Sequence, residues 1–508
     1  MPNPNPVFAS SALSASSAVK RLFLLSILAL CLASPALAQN TPADSAPPTR
    51  RERLEQLDAA WPKAFEAKDY ATAEKQLREM IELSPQDFLP WYNLACVQCQ
   101  LQQYANANKS LQRSIDLGFA DFATLEADET LAALRDTEQF KGILAQAARL
   151  QNNTIDKRIE RYRSGFAKKY AVDKDEPLRL AYMSDLNPQA LADARTEITK
   201  LAAWWAKDVA PGAPEPARPH PWVLVMLPNR KDYMTWAVKN FGDGAESKGG
   251  IYDHDKKELV ARDLGPTLRH EFFHVLHWRD MAARRVVHPI WVQEGLCSLV
   301  EDIQWLPDGA AKGLPSYRTN MLKRLMLSSK LPAWSDFFAL TPQKFGSGKP
   351  LLNYAVGRSI FLFLQDQGKL AAWYAALNAT LKDDPTGAKA FEVVFDQPLA
   401  KTELAWKAWL KELPIVGDAN TPTSTVLPFT VNEGGGDGVT VGVISASAEK
   451  ASGLRSRDVL TSINAQSTHD LNEVTRILSS LKPGDEVTIN YRRGKMAGQT
   501  KVKLVQKE

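Results

Sequence analysis

Hydrophobic positions along the 508-residue chain change their spacing several times, and each change predicts a different kind of structure. The first apolar run, Leu22 to Ala33, follows Lys20 and Arg21 and ends in Ala36-Leu37-Ala38. It falls short of the ~20 residues a spanning helix needs. Its order of basic, apolar and small residues predicts a cleaved export signal over residues 1–38, with Leu30 ahead of Cys31 where a lipid-anchoring signal wants a small residue. The mature chain then starts near Gln39, and its destination is the periplasm or the exterior. No later stretch is long and apolar enough to span a bilayer, so no transmembrane segment is expected in the mature chain.

After a Pro/Ala/Thr-rich linker (39–50), residues 51–150 show short amphipathic helical patterns. Trp61, Ala64, Tyr70, Ala73 and Leu77 recur as Trp91, Leu94, Tyr104, Ala107 and Leu111, an offset near ~34 residues, with Phe122 to Leu150 as a third unit. This resembles tetratricopeptide repeats, which implies stacked helical pairs with a concave peptide-binding face. From 151 to 413 the pattern mixes periods. Helical stretches (Ile155 to Tyr170, Pro188 to Val209) flank a Pro-rich break (Pro211 to Pro221); a continuous apolar strand (Trp222 to Leu227) and a hairpin (Lys248 to Ala261) follow. Leu314 to Leu413 is helical again, most plainly over Tyr354–Leu364 and Ala371–Leu381. A second linker (414–424) precedes 425–508, where strands and turns alternate around Val439–Ile444, Ile463-Asn464, an amphipathic helix Asp470–Leu481 and a strand Val487–Arg492. This last region resembles a bacterial PDZ domain. The resemblance implies a groove between a strand and a helix that takes an extended peptide, often a carboxyl terminus, with Gly434–Gly438 as candidate amide donors. The fold class expected is multidomain: an all-α helical repeat, an α+β domain, and a β-rich PDZ domain.

Composition narrows the picture. With 44% hydrophobic and 24% charged residues the chain can bury several cores, and a formal charge of +4 over this length argues against nucleic acid as a partner. Beyond the signal only Cys96, Cys99 and Cys297 remain, so the fold does not depend on disulfides. Cys96 and Cys99 share a helical face with no second Cys or His pair nearby to complete a metal site.

The chemistry concentrates in Arg269-His270-Glu271-Phe272-Phe273-His274-Val275-Leu276-His277 and in Trp291-Val292-Gln293-Glu294-Gly295. Four apart on a helix, His270 and His274 can place imidazole nitrogens on one metal ion, and Glu271 stands beside them as a base. Leu268, Phe272, Val275 and Leu276 make that helix apolar on one side, and burying two histidines and a glutamate on it without partners would be costly. A catalytic zinc keeps three protein ligands and one open position. Asp280 is one candidate for the third, but the glycine that turns the chain back in metzincin-type peptidases is His277 here. Glu294 is the other. The loop Arg284–His288 and Pro289 as helix starter let a second helix return antiparallel, which favours Glu294.

His270-Glu271-x-x-His274 with Trp291-x-x-Glu294-Gly295 resembles the gluzincin class of zinc metallopeptidases, the peptidase MA-like domains. The resemblance implies a zincin-like fold, Zn2+ on His270, His274 and Glu294, Glu271 as general base, and a polypeptide substrate. Where gluzincins often carry an aspartate behind a ligand histidine this chain has Ser298, leaving Glu301 or Asp302 for that contact. It further implies an edge strand pairing with the substrate, for which the 248–261 hairpin is the candidate, and an oxyanion donor from the later helices, Tyr354 first and His288 next. No Gly-x-Met-Glu-Asn strand of the gluzincin aminopeptidases is present, which favours an endopeptidase. The expectation is thus an exported zinc metallopeptidase whose repeats and PDZ domain bind peptide or protein ligands. A non-catalytic envelope scaffold and a zinc amidase acting on cell-wall peptide are the alternatives.

Overall fold

The structure is a computed structural model that describes residues 48–216, 218–241, 249–418 and 423–507. The expected export signal and the first linker up to residue 47 lie outside them, as do residues 419–422 of the second linker.

The N-terminal part is built of helical hairpins: α1 (Arg50–Glu66) with α2 (Tyr70–Leu83), then α3 (Phe88–Gln100) with α4 (Tyr104–Leu117). Thr49, Asp69 and Asp87 cap the first three by accepting first-turn amides, satisfying donors that no helical carbonyl can reach. Trp61, Ala73 and Leu77 interlock with Leu94 and Val97, whereas Ala107 and Leu111 interlock with Phe88 and Tyr92. Of the positions that recur in the sequence, Trp61, Ala73, Leu77 and Leu94 join the first hairpin to the second, and Ala107 and Leu111 close the second hairpin on itself. The expected third unit is broken up, into α5 (Phe122–Ala127), a 3-10 turn (Glu129–Leu134) and α6 (Glu138–Ala145). Cys96 and Cys99 are buried and free.

Helix α7 (Ala147–Arg163) leads to a five-stranded sheet of β1 (Ala171–Asp175), β2 (Leu180–Ser184), β3 (Val223–Leu227), β4 (Gly250–Asp253) and β5 (Glu258–Ala261), in the order β1-β2-β3-β5-β4. β2, β3 and β5 run parallel, and both outer strands run antiparallel to their neighbours. Leu180, Tyr182, Val223 and Val225 face the main core, and Ala181, Met183, Leu224 and Met226 face Ile155 and Ile159 of α7. Burial on both faces explains the unbroken apolar run of β3. The sequence reading missed β1 and β2. β1 exposes most of its side chains and shows no apolar alternation. Helix α8 (Pro188–Trp204) ends sooner than expected and continues as a π turn (Trp205–Val209), which lets Trp204 and Trp205 both contact the Phe273 ring, at 5.7 and 5.0 Å.

Helix α9 (Arg230–Phe241) precedes β4, and α10 (Pro266–Arg284) and α11 (Ile290–Leu299) follow β5. After a hairpin of β6 (Ile303–Trp305) and β7 (Ala311–Gly313) come α12 (Tyr317–Leu327), α13 (Trp334–Phe338), α14 (Pro342–Gly346), α15 (Pro350–Asp366), α16 (Leu370–Thr380), α17 (Ala388–Phe395) and α18 (Leu399–Glu412). Trp291 of α11 anchors this layer, stacked on Phe338 at 4.3 Å and Phe361 at 5.7 Å.

The C-terminal part is β-rich. A short pair of β8 (Thr425–Val426) and β15 (Val505–Gln506) flanks a sheet of β9 (Phe429–Asn432), β10 (Val439–Ile444), β11 (Val459–Ile463), β12 (Gln466–Ser467), β13 (Glu486–Arg493) and β14 (Met496–Lys503), with α19 (Ala446–Ser452) and α20 (Leu471–Ser479) packed on it. β9 is terminal in the main order β14-β13-β11-β10-β9. The glycine turn after β9, whose amides are the candidate donors, docks on the middle of the chain. Gly436 accepts from the Leu264 amide at 2.8 Å and has φ +113°, and a Cβ there would stand 2.7 Å from the Arg262 carbonyl oxygen. Among the described residues no helix is long and apolar enough to cross a membrane.

Candidate metal centre

Asp263 sets the start of α10 by accepting from the amides of Gly265 and Thr267 at 3.0 and 2.9 Å, and Pro266 occupies the first turn, where a missing N–H costs nothing. The helix then buries Leu268, Phe272, Phe273, Val275 and Leu276, leaving His270 and His274 one turn apart on another face. Helix α11 comes back against it and crosses α15 where Gly295 meets Gly357. A Cβ on Gly295 would stand 2.7 Å from the Phe361 ring and 2.9 Å from the Gly357 carbonyl carbon, so only glycine permits the approach that brings Glu294 into place.

His270, His274 and Glu294 each offer a ligand atom, and these atoms lie within 4.8 Å of one another. The Nε2 atoms of both histidines stand 3.5 Å from Oε2 of Glu294, which is buried and accepts no hydrogen bond. Ligand atoms ~2.1 Å from a tetrahedral ion lie roughly 3.4 Å apart, so the group has the dimensions of a metal site. Burial opposes ionisation of Glu294, but the two imidazoles outweigh it and hold the carboxyl below its ordinary range.

The support behind the group is clear. His270 Nδ1 lies 2.9 Å from Oε1 of Glu301, which leaves Nε2 free to face the centre. Arg318 holds that carboxylate through Nη2 contacts of 3.0 and 2.7 Å. Of the two acids expected behind a histidine, Glu301 makes the contact; Asp302 is turned to Arg358 at 3.6 Å and Arg476 at 3.8 Å. Arg269, one residue before His270, is buried and donates to the carbonyls of Val300 and Glu301 and to Glu473 of α20.

Glu271 lies beside β4. A Cβ on Gly250 would stand 3.0 Å from its Cγ. Burial raises its carboxyl above the usual range against the pull of both histidines. The Tyr354 ring sits 6.3 Å from the His270 ring, with the Arg318 guanidinium 5.5 Å from its centre. Burial and the carboxylates of Glu294 and Glu271 push its phenol well up, so it stays a proton donor. Two other candidates point elsewhere. Asp280 pairs with Arg284 at 2.9 Å and accepts from the Tyr374 hydroxyl at 2.6 Å, and His288 is bonded to His277 at 2.7 Å and Asn378 at 3.1 Å. Cys297 is buried and free.

The sequence reading gave no role to Arg318 or Arg269. Arg269 sits among apolar neighbours on the buried helix, and a charge in such company needs buried partners; that was the available signal.

No curated protein matches the chain. A solved structure described as the crystal structure of an aminopeptidase N family protein from Idiomarina loihiensis aligns over 67% of this chain and 68% of its own, at 12% identity and a TM-score of 0.27. Residues 426–504 match the family described as the PDZ domain, so the β-rich C-terminal part is a PDZ domain.

Proposed function

We propose that this chain is an exported, zinc-dependent endopeptidase. His270, His274 and Glu294 hold Zn2+, Glu271 is the general base, and the helical hairpins, read as tetratricopeptide repeats, act with the PDZ domain to bind polypeptide. The observation that carries the reading is the convergence of two imidazole Nε2 atoms on one unpartnered Glu294 oxygen at 3.5 Å, with Glu301 behind His270. Two nitrogens and one oxygen suit zinc and leave a fourth position open, which a purely structural site does not need. When bound, the ion supplies a Lewis acid that polarises a carbonyl and acidifies water toward a pKa of ~7.

The chain's own residues do the rest. β4 is terminal in its sheet, so its outer backbone can pair with an extended substrate, and Glu271 lies against that strand. From there Glu271 removes a proton from the attacking water and returns it to the leaving amine. Tyr354, kept protonated, donates from the side of His270 to the oxygen on which negative charge develops.

The test is Glu271→Gln beside the unaltered mature protein, with bound metal and casein cleavage both measured. The variant should keep zinc and lose cleavage by ~10²–10⁴-fold. Equal cleavage by both proteins rejects Glu271 as the base; zinc-loaded protein that cleaves nothing leaves a peptide-binding scaffold.

A further inference from the structure

Of the sheet-terminal strands, β4 beside Glu271 and β9 in the PDZ domain each have one edge with no strand partner among the described residues. They meet at one place. The Arg262 amide donates to the Gly249 carbonyl at 3.0 Å, next to the Gly250 end of β4, and the turn that follows Asn432 of β9 packs on Arg262 and bonds the Leu264 amide. The Gly250 end of one edge and the Asn432 end of the other are thus joined by residues 262–264.

Chain direction decides what such a pair of edges can hold. A peptide added antiparallel to β4 runs from its Asp253 end to its Gly250 end, and one added antiparallel to β9 runs from Asn432 to Phe429. The first path stops where the second starts. Parallel addition to both strands also gives one continuous path, with the order reversed, but parallel pairing is less stable per residue. Antiparallel and parallel addition together give no continuous path.

The two edges are also held at a fixed separation. Arg269 and Glu473 are both buried and bonded at 2.9 Å across the domain boundary, Arg269 donates to the carbonyls of Val300 and Glu301, and Arg476 lies 3.8 Å from Asp302. A Cβ on Gly265 would collide with the His469 ring, so the surfaces are in intimate contact. Separating a buried, hydrogen-bonded ion pair leaves two charges uncompensated, which is strongly unfavourable.

We propose that β9 and β4 form one track for the unstructured carboxyl-terminal tail of a protein. The last residues lie on β9, the chain passes Arg262–Leu264, and the upstream residues lie on β4. Resting on the peptidase reading, this makes cleavage occur at a set distance from the substrate's carboxyl terminus. That distance is no shorter than the 4 residues β9 can pair. The side chain of Arg262, half exposed at the crossing, faces whatever passes.

Full-length Glu271→Gln protein loaded with zinc, given an unstructured casein peptide that carries a photoreactive residue either near its carboxyl end or well upstream, tests the track without turnover. The carboxyl-end probe should crosslink to Phe429–Asn432 and the upstream probe to Gly250–Asp253. Crosslinks in the reverse order, or both on one strand, overturn the proposal. With the unaltered enzyme, lengthening the tail by a few residues should move the cut by the same number. A cut that stays with the local sequence overturns the track and leaves the peptidase standing, whereas ordered crosslinks without cleavage keep the track and remove the peptidase.

Discussion

Glu301→Gln removes one charge from the side chain that links His270 to Arg318. The carboxylate lies 2.9 Å from His270 Nδ1 and is gripped by Arg318 at 2.7 and 3.0 Å, in a buried setting where the Arg318 guanidinium and the His270 imidazole hold its pKa down at about 2 despite burial. The amide has the same length and can still accept from Nδ1, so local packing should survive. What disappears is the negative charge behind the imidazole. Loss of such an outer partner costs metal sites ~10–100-fold in affinity, about 1.4–2.7 kcal/mol. The upper end is expected, because Arg318 is left with its charge unopposed close to the centre. Chelator competition at neutral pH and fixed ionic strength measures the change, with circular dichroism to verify folding. Adding Arg318→Met should recover part of the loss, since it removes the orphaned guanidinium. A folded Glu301→Gln protein that binds zinc as tightly as the original would refute the role assigned to the Glu301 charge.

Tyr354→Phe should lower kcat ~10²–10³-fold with KM nearly unchanged, the pattern of a lost transition-state donor; a KM change alone would reassign it to substrate binding. Gly295→Ala should destabilise by ~1–3 kcal/mol in urea unfolding and weaken zinc binding as well, because the added methyl forces α11 off α15; wild-type behaviour on both counts would show that the crossing can relax. For His288, burial lowers the imidazole pKa to about 4, against ~6.5 in the unfolded chain. Its contribution to stability is therefore complete above pH ~6.5 and is lost as pH falls toward 4, by up to roughly 3 kcal/mol. Denaturation at neutral and mildly acidic pH should show a shallower decline in His288→Gln than in the original, and parallel declines would place the acid sensitivity elsewhere.

The parts of the site that were legible in the sequence are those set by local geometry. His270 and His274 share a helical face by spacing, and Pro289 after a short loop turns α11 back so that Glu294 can meet them. Helical stacking was legible in the N-terminal part because a recurring set of apolar residues must repeat its contacts. The arginines were not. Arg318 reaches Glu301 from a separate helix, and Glu473 reaches Arg269 from 204 residues away, so nothing in the spacing of either residue reveals the pairing. β1 was invisible for a different reason: an outer strand that half-buries only one apolar side chain, Val172, has no apolar alternation to show. The docking of the Gly434–Gly438 turn was not legible, because a run of glycines shows that close backbone contact is allowed and not which neighbour, here Arg262, makes it.

The pairing of Arg269 with Glu473 bears on how this protein can be dissected. Trimming the chain after residue 418 to obtain a smaller fragment around the candidate metal centre would strip an internal cation of one of its acids, a single peptide unit from the first imidazole, and would open Gly265 and Leu264 to solvent. A fragment of that kind is the wrong control for what the last domain contributes, because its failure would report damage to the half that carries His270, His274 and Glu294 as much as the loss of the PDZ domain.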